Sequence, residues 1–385
     1  MRRITGIVAE YDPFHRGHGK HLLLARERTG AEFVYVALSG CFRQRGEAAM
    51  LSPWDRARCA LAAGADAVFL LPTVWTLRDA EHYALGAVAL LGGMGVNSLA
   101  FGAEEGDIRT LSAIAERLEH PDAAFQRRLR EALAAGQGYP RAVERTLGAE
   151  EPRWGEIIRW PNSILAIAYL RAIQRLGLEM EPVAIPREGA YHAETIDGEN
   201  PSASAIRKAV ERGDYGSAFS AVTGESERVL RRAMLDRRIP DPGMLDTLTL
   251  RILRAMRPEE AEDRLTDLSE GLANRILREA RSASSRRELL DRVCGKRYPR
   301  ARINRILTRA ALGITPEMLE GLPHHREALL LGMRPNPEMT GDWKARDIQV
   351  RSNIKDMPAD PAFSLWGQCA GLGEDWAYRE KTVKG

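Results

Sequence analysis

The chain has 385 residues, 44% of them hydrophobic and 28% charged, with a formal net charge of +3. These proportions fit a globular protein with more than one core and exclude a disordered or collagen-like chain. Four widely spaced cysteines, a start that turns polar after five residues, and no apolar run approaching 18 residues predict a cytoplasmic protein without disulfides, paired zinc cysteines or membrane spans.

In chain order, the first third alternates short apolar runs with helical patterns. Ile4 to Val8, Phe33 to Leu38, Ala67 to Leu71 and Ser98 to Phe101 are continuous apolar stretches bounded by Gly, Pro or Ser, as strands buried on both faces would be. Between them, "HLLLARERTG" ends on a glycine stop, and "SPWDRARCALAAG" offers Ser52 as N-cap with Pro53 in the first helical position. The expected fold is α/β, a doubly wound parallel sheet of Rossmann type. Ligands of such sheets bind beyond the carboxyl ends of the strands, so the loops after Val8, Leu38 and Phe101 should meet at one crevice.

The first of those loops carries three of the eight histidines, His15, His18 and His21, within "VAEYDPFHRGHGKH". Gly17 permits a close turn, and the helix that follows presents unpaired N–H groups and the positive end of its dipole. Phosphate is the natural guest. A dipole contributes only about 0.3 to 1 kcal/mol at a surface, so imidazoles are needed to stabilise charge on a reacting phosphate, which makes His15 and His18 the candidate catalytic residues. Zinc ligation by three histidines lacks an evident fourth ligand, and plain helix-start histidines would carry no chemistry.

Strand, His-x-Gly-His, helix is similar to the signature of the nucleotidylyltransferase superfamily. That resemblance predicts a second element, a hydroxyl-rich turn entering a helix with Ile-Arg, and "NPSASAIRKAV" supplies it. There Asn200 can cap, Pro201 suits the first turn, and Ser202, Ser204 and Arg207 offer two hydroxyls and a guanidinium to departing phosphates.

Longer stretches narrow the likeness. "GIVAEYDPFHRGH", "LSGCFRQRGEAAM", "WDRARCALAAGADAVFLLP", "SLAFGAEEGD", "WPNSILAIAYL", "IPREGAYH" and "KRYPRARINRIL" run in order over nearly the whole chain. Together they resemble the bacterial tRNA(Met) cytidine acetate ligase family. The resemblance implies activation of acetate by ATP as acetyl-adenylate, with Mg²⁺ accompanying pyrophosphate, and acetyl transfer to N4 of the wobble cytidine of elongator tRNA(Met). It implies ATP contacts along Val8, Ala9, Glu10, Tyr11, Asp12, Pro13, Phe14, His15, Arg16, Gly17, His18, Gly19, Lys20 and His21, and at Gly102, Asn162 and Arg187. Asn162 also fits a helix cap before "SILAIAYL".

This chain departs from the family pattern at Asp12, Cys41 and Ser163, where Asn is usual, and at Ser204, where Thr is usual. Asp12 brings a negative charge toward the triphosphate, to be met by Mg²⁺ or Arg16, and the changes bear most on the acetate pocket. Cys41 reads as a buried thiol or, beside Arg43 and Arg45, as an activated one.

Farther on, Arg281 to Ala310 holds ten Lys/Arg against two acids, a net of +8. With helical apolar spacing and Tyr298 in "KRYPR", this reads as a basic RNA-binding face presenting Lys296, Arg297, Arg300 and Arg302, with a solvated, acid-balanced surface as the alternative. About six phosphate contacts to a single strand would give a log-log salt slope near −4. The expected organisation is a nucleotidylyltransferase-like domain over 1–224, a helical tRNA-binding domain over 225–332, and a tail over 333–385 that packs on the body through Trp343, Trp366 and Trp376. Two other readings remain: an adenylyltransferase acting on a phosphorylated metabolite, and a non-catalytic RNA-binding protein.

Overall fold

The computed structural model describes residues 2–186, 202–269, 271–320, 325–344, 346, 348–373 and 376–385. The four anticipated strands form β1 (Ile4–Ala9), β2 (Phe33–Ser39), β3 (Ala67–Leu71) and β4 (Ser98–Ala103), followed by β5 (Glu181–Pro186). All pair in parallel, in the order β5-β4-β1-β2-β3. The direction of winding reverses beside β1, which opens a crevice at its carboxyl end.

The apolar runs are continuous because both faces are covered. In β2, Val34, Val36 and Leu38 enter one core with the helix Pro53–Ala62, while Phe33, Tyr35 and Ala37 enter another with the helices Ala80–Gly93 and Pro161–Arg175. Local signals act as read: Ser52 accepts the Asp55 N–H with Pro53 in the first turn, and Gly30 ends the first helix with φ 61°.

The tail does more than lie on the body. Its strand β6 (Glu327–Met333) pairs antiparallel with β3, and β7 (Gln349–Arg351) and β8 (Val383–Lys384) both pair with β6, completing an eight-stranded sheet. The expected boundary at residue 332 therefore falls inside a strand. Trp343, Trp366 and Trp376 are buried; the Trp343 indole donates to Tyr35 Oη at 3.1 Å and that of Trp366 to the Ala49 carbonyl at 2.7 Å.

The helical segment likewise divides by its packing. Val229, Leu230, Ala233 and Leu245 join the core that holds the Pro53–Ala62 helix. A separate helical core runs from Leu250 to Ala310 and includes Leu272, Ile276, Leu289, Ile303 and Ile306.

One loop joins this helical body to the sheet. The loop after β2 turns at Gly46, whose φ is +85° and whose carbonyl accepts from Thr308 Oγ1 at 2.5 Å and from Arg286 at 3.2 Å. Asn304 Nδ2 donates to the Arg45 carbonyl at 2.8 Å. A Cβ at position 46 would lie 2.8 Å from the Arg305 backbone nitrogen and 2.9 Å from the Asn304 carbonyl oxygen. Gly46→Ala should therefore destabilise the protein by about 2 to 4 kcal/mol, combining left-handed backbone strain with forced overlap. A lowered urea midpoint with an unchanged slope is the expected result.

Candidate nucleotide and RNA site

The turn after β1 is built from buried groups. Tyr11 takes φ 49°, in the left-handed region, and its phenol lies buried without a hydrogen-bond partner among the described residues. A tyrosine is uncommon in that conformation, and such strain gathers at functional sites. Burial pushes the Tyr11 hydroxyl far above its ordinary pKa, so it stays protonated.

His15 is 3% exposed and is the N-cap of the helix Arg16–Thr29. Its backbone N–H donates to His18 Nδ1 at 3.3 Å, and the two imidazoles stack with centroids 3.6 Å apart. Because Nδ1 of His18 accepts, the proton of a neutral His18 sits on Nε2. Tyr11 and Phe14 flank the same ring at 4.8 and 5.5 Å, holding it beside the helix start. Arg16 and Lys20 are exposed, and His21 is half-buried on the helix.

Arg207 brings the second predicted element here. Its guanidinium donates to the Asp12 carbonyl at 2.5 Å and to Ser204 Oγ at 3.0 Å, from the helix Ala203–Glu211. Burial, then the nearby Arg43 charge, pull the Arg207 pKa down, against opposing pulls from Asp12 and Glu10. The cap of that helix is Ser202, which accepts the Ala205 N–H at 3.0 Å. Asn200, Pro201 and Arg187 lie outside the described residues.

Asp12 does not face Arg16. Its carboxylate, 2% exposed, accepts the Met50 and Leu51 N–H groups at 2.7 and 3.3 Å and lies 3.4 Å from Arg43. The charge is thus absorbed by protein, not aimed at a triphosphate. Cys41 is 1% exposed, and burial, reinforced by Asp360, drives its thiol well above the ordinary range despite Arg56. It is a packing residue with no thiolate to offer.

Gly102, in β4, pairs with Ile185 of β5. Asn162 is not a cap: the cap comes from Glu104, which accepts from Asn162 N and Nδ2 at 3.3 and 2.7 Å and from Ser163 N and Oγ at 2.8 and 3.1 Å. The Asn162 amide is thereby fixed at the carboxyl end of β4.

Sequence reasoning gave no role to Arg56, Gln44 or Glu104, and considered Arg43 only as a neighbour of Cys41. Arg56 is 0% exposed and donates to the carbonyls of Glu10, Ser39, Gly40 and Leu51. Its signal was an arginine on the apolar face of "WDRARCALAAG". Gln44 N donates to Glu10 Oε1 at 2.6 Å.

The basic segment is less uniform than its composition. Arg286, Arg305 and Arg309 are buried, Arg300 pairs with Asp291 at 2.5 Å, and Arg302 donates to the Asp267 carbonyl at 2.6 Å. Tyr298 is 8% exposed in the helical core, so it is no stacking platform. Lys296 and Arg297 remain exposed, with no ion pair among the described residues.

A strand, a histidine-bearing turn on a helix N-terminus and a second helix delivering Arg207 define a nucleotidyl transferase. The family model described as HIGH Nucleotidyl Transferase matches residues 2–355, so the chain belongs to that family. Within it, the chain is 34% identical to the tRNA(Met) cytidine acetate ligase of Acetivibrio thermocellus over 93% of this chain and 87% of that protein. It is also 34% identical to the ligase of Syntrophomonas wolfei, over 91% and 86%. The protein is a member of the tRNA(Met) cytidine acetate ligase family. Crystal structures of Thermotoga maritima TmcAL superpose with TM-scores of 0.92 for an apo form and 0.88 for a form bound with alpha-thio ATP, each at 26% identity over 99% of both chains.

Asp12→Ala would strand two buried N–H groups and leave Arg43 and Arg207 facing each other. It should cost about 3 kcal/mol in urea unfolding, and Asp12→Asn markedly less, because an amide oxygen still accepts from Met50.

Proposed function

We infer that the protein is an ATP-dependent acetate ligase that forms acetyl-adenylate and acetylates N4 of the wobble cytidine of elongator tRNA(Met), in the cytoplasm. The observation that carries this reading is the Arg207 to Asp12 hydrogen bond, which joins the two phosphate-handling elements at one crevice in a chain related to such ligases over nearly its whole length.

An acetate oxygen attacks the α-phosphorus of ATP; the new acyl–phosphate bond forms as the bond to the bridging oxygen breaks and pyrophosphate leaves. The N–H groups at the start of the Arg16–Thr29 helix and the Nε2 proton of His18 stabilise the equatorial oxygens, and Ser204 and Arg207 receive the departing phosphates. Among the described residues no group of three or more His, Cys, Asp or Glu is placed to hold a metal. Mg²⁺ would then enter on the triphosphate, neutralising it, as that ion commonly does. The cytidine amine next attacks the acetyl carbon, AMP leaves, and the amine proton passes to water or to an imidazole.

In this reading Asn162 and Gly102 border the nucleotide, as does Arg187, and the helical core around Leu250 to Ala310 binds tRNA with Lys296 and Arg297 as its free cations. Arg300 and Arg302 would contribute only by exchanging their present acceptors. The test is acetate-dependent ATP–pyrophosphate exchange: His18→Ala should reduce it about 10²- to 10³-fold, the scale for losing one transition-state donor. Exchange that persists in the variant would sink this role for His18, and exchange indifferent to acetate would sink the ligase reading.

A further inference from the structure

Arg305, on the helix Arg300–Ala311, is 8% exposed, yet its side chain makes no hydrogen bond or ion pair with any described residue, and its Nε is buried without a partner. Buried guanidinium groups normally sit in a web of acceptors, because an unpaired buried cation is costly. Arg286, at the start of the neighbouring helix Arg286–Val293, shows the usual arrangement, with its donors spent on Asn304, Thr308 and Gly46.

The surroundings of Arg305 are rich in cations. Arg309 and Arg302 oppose its charge, and Arg78 opposes that of Arg309. The two carboxylates nearby are already engaged. Asp267 holds Arg309, and Asp79 caps the helix Ala80–Gly93 by accepting from Glu81 N and His82 N while also binding His82 Nδ1 at 2.8 Å. Burial, then Arg309, bring the Arg305 pKa down to about 10, against opposing pulls from Asp267 and Asp79, neither of which forms an ion pair with it.

This cluster sits where the helical body meets the catalytic loops. Gly46 abuts the Arg305 backbone, and Gln44 connects both sides, its amide donating to the Arg78 carbonyl at 2.7 Å and its backbone N–H to Glu10. Ahead of it on the same segment stand the exposed Lys296 and Arg297. A phosphate at Arg305 could belong to the triphosphate or to RNA. The triphosphate already has receptors in the His18 turn, Ser204 and Arg207, whereas Arg305 belongs to the helical body that carries the exposed Lys296 and Arg297.

We propose that Arg305, with Arg309 and Arg302 beside it, is the receptor for one backbone phosphate of the RNA acceptor, the contact that seats the target nucleotide over the nucleotide crevice. This rests on the reading above that RNA is the acetyl acceptor. The missing acceptor of Arg305 is then supplied by the substrate itself.

The test uses the full chain and its Arg305→Gln and Arg305→Lys variants, with tRNA binding measured across salt concentrations alongside exchange without tRNA. For Arg305→Gln, tRNA affinity should fall about tenfold, and the log-log salt slope should lose about one contact, roughly 0.7. Exchange should stay within twofold and the melting temperature should not drop, since an unpaired buried charge has been removed. Arg305→Lys should retain most of the affinity. Unchanged affinity and slope in Arg305→Gln would overturn the proposal, as would a large loss of exchange, which would assign the phosphate to the nucleotide, or a collapse of folding, which would make Arg305 structural. Wild-type protein that exchanges with acetate but binds no tRNA would refute the RNA reading itself, a result separate from any difference between the variants.

Discussion

The geometry of the crevice depends on one fully buried guanidinium. Arg56 gathers the carbonyls of Glu10, Ser39, Gly40 and Leu51, which leave β1, leave β2 and enter the Pro53–Ala62 helix. Strands in a parallel sheet end with carbonyls that lack ladder partners, and loops leaving them diverge unless something supplies donors. Five N–H groups on a rigid planar fork do so for three chain segments at once. Burial lowers the Arg56 pKa, and Asp12, Cys41 and Glu10 pull it back. The positive charge is thus part of the wall on which the histidine turn rests.

Around that anchor the site is assembled from charges that are buried but balanced. Asp12 takes two backbone N–H groups and faces Arg43, while Arg207 grips the carbonyl of Asp12 itself. An acid at position 12 is accommodated because the loop after β2 supplies a matching arginine. Helix ends are used in two ways. The Pro161–Arg175 helix has its N-terminus satisfied by Glu104 from a neighbouring loop, whereas the Arg16–Thr29 helix directs its first turn toward the crevice, with His18 reaching back to His15. The first arrangement fixes Asn162, and the second leaves donors for a ligand.

Strands and motifs were readable because their signals are local. Two-sided burial leaves an uninterrupted apolar run, and a histidine turn between strand and helix has few other uses. The carboxyl-terminal strands were not legible, since "EALLLGM" pairs with a partner far away in sequence and nothing nearby marks that choice. The basic segment misled for a related reason. Composition counts arginines equally, but Arg286 and Arg309 spend their charge inside the fold and Tyr298 spends its ring in the core. The roles of Arg56 and Glu104 were hidden because a buried polar residue announces itself only by whom it meets.

The position of β6 governs when this protein can finish folding. Met333, which pairs with Ala67, is made 266 residues after it. At about 5 to 20 residues per second, the ribosome needs roughly 13 to 50 s to deliver it. Until then β3 is an open edge flanked by apolar side chains, a template for unwanted pairing. The nascent chain can shape its crevice early, but its sheet is sealed only once β6 has been made. A truncated product would therefore carry the nucleotide-binding motifs on a sheet with a bare margin, fit for aggregation or degradation before catalysis.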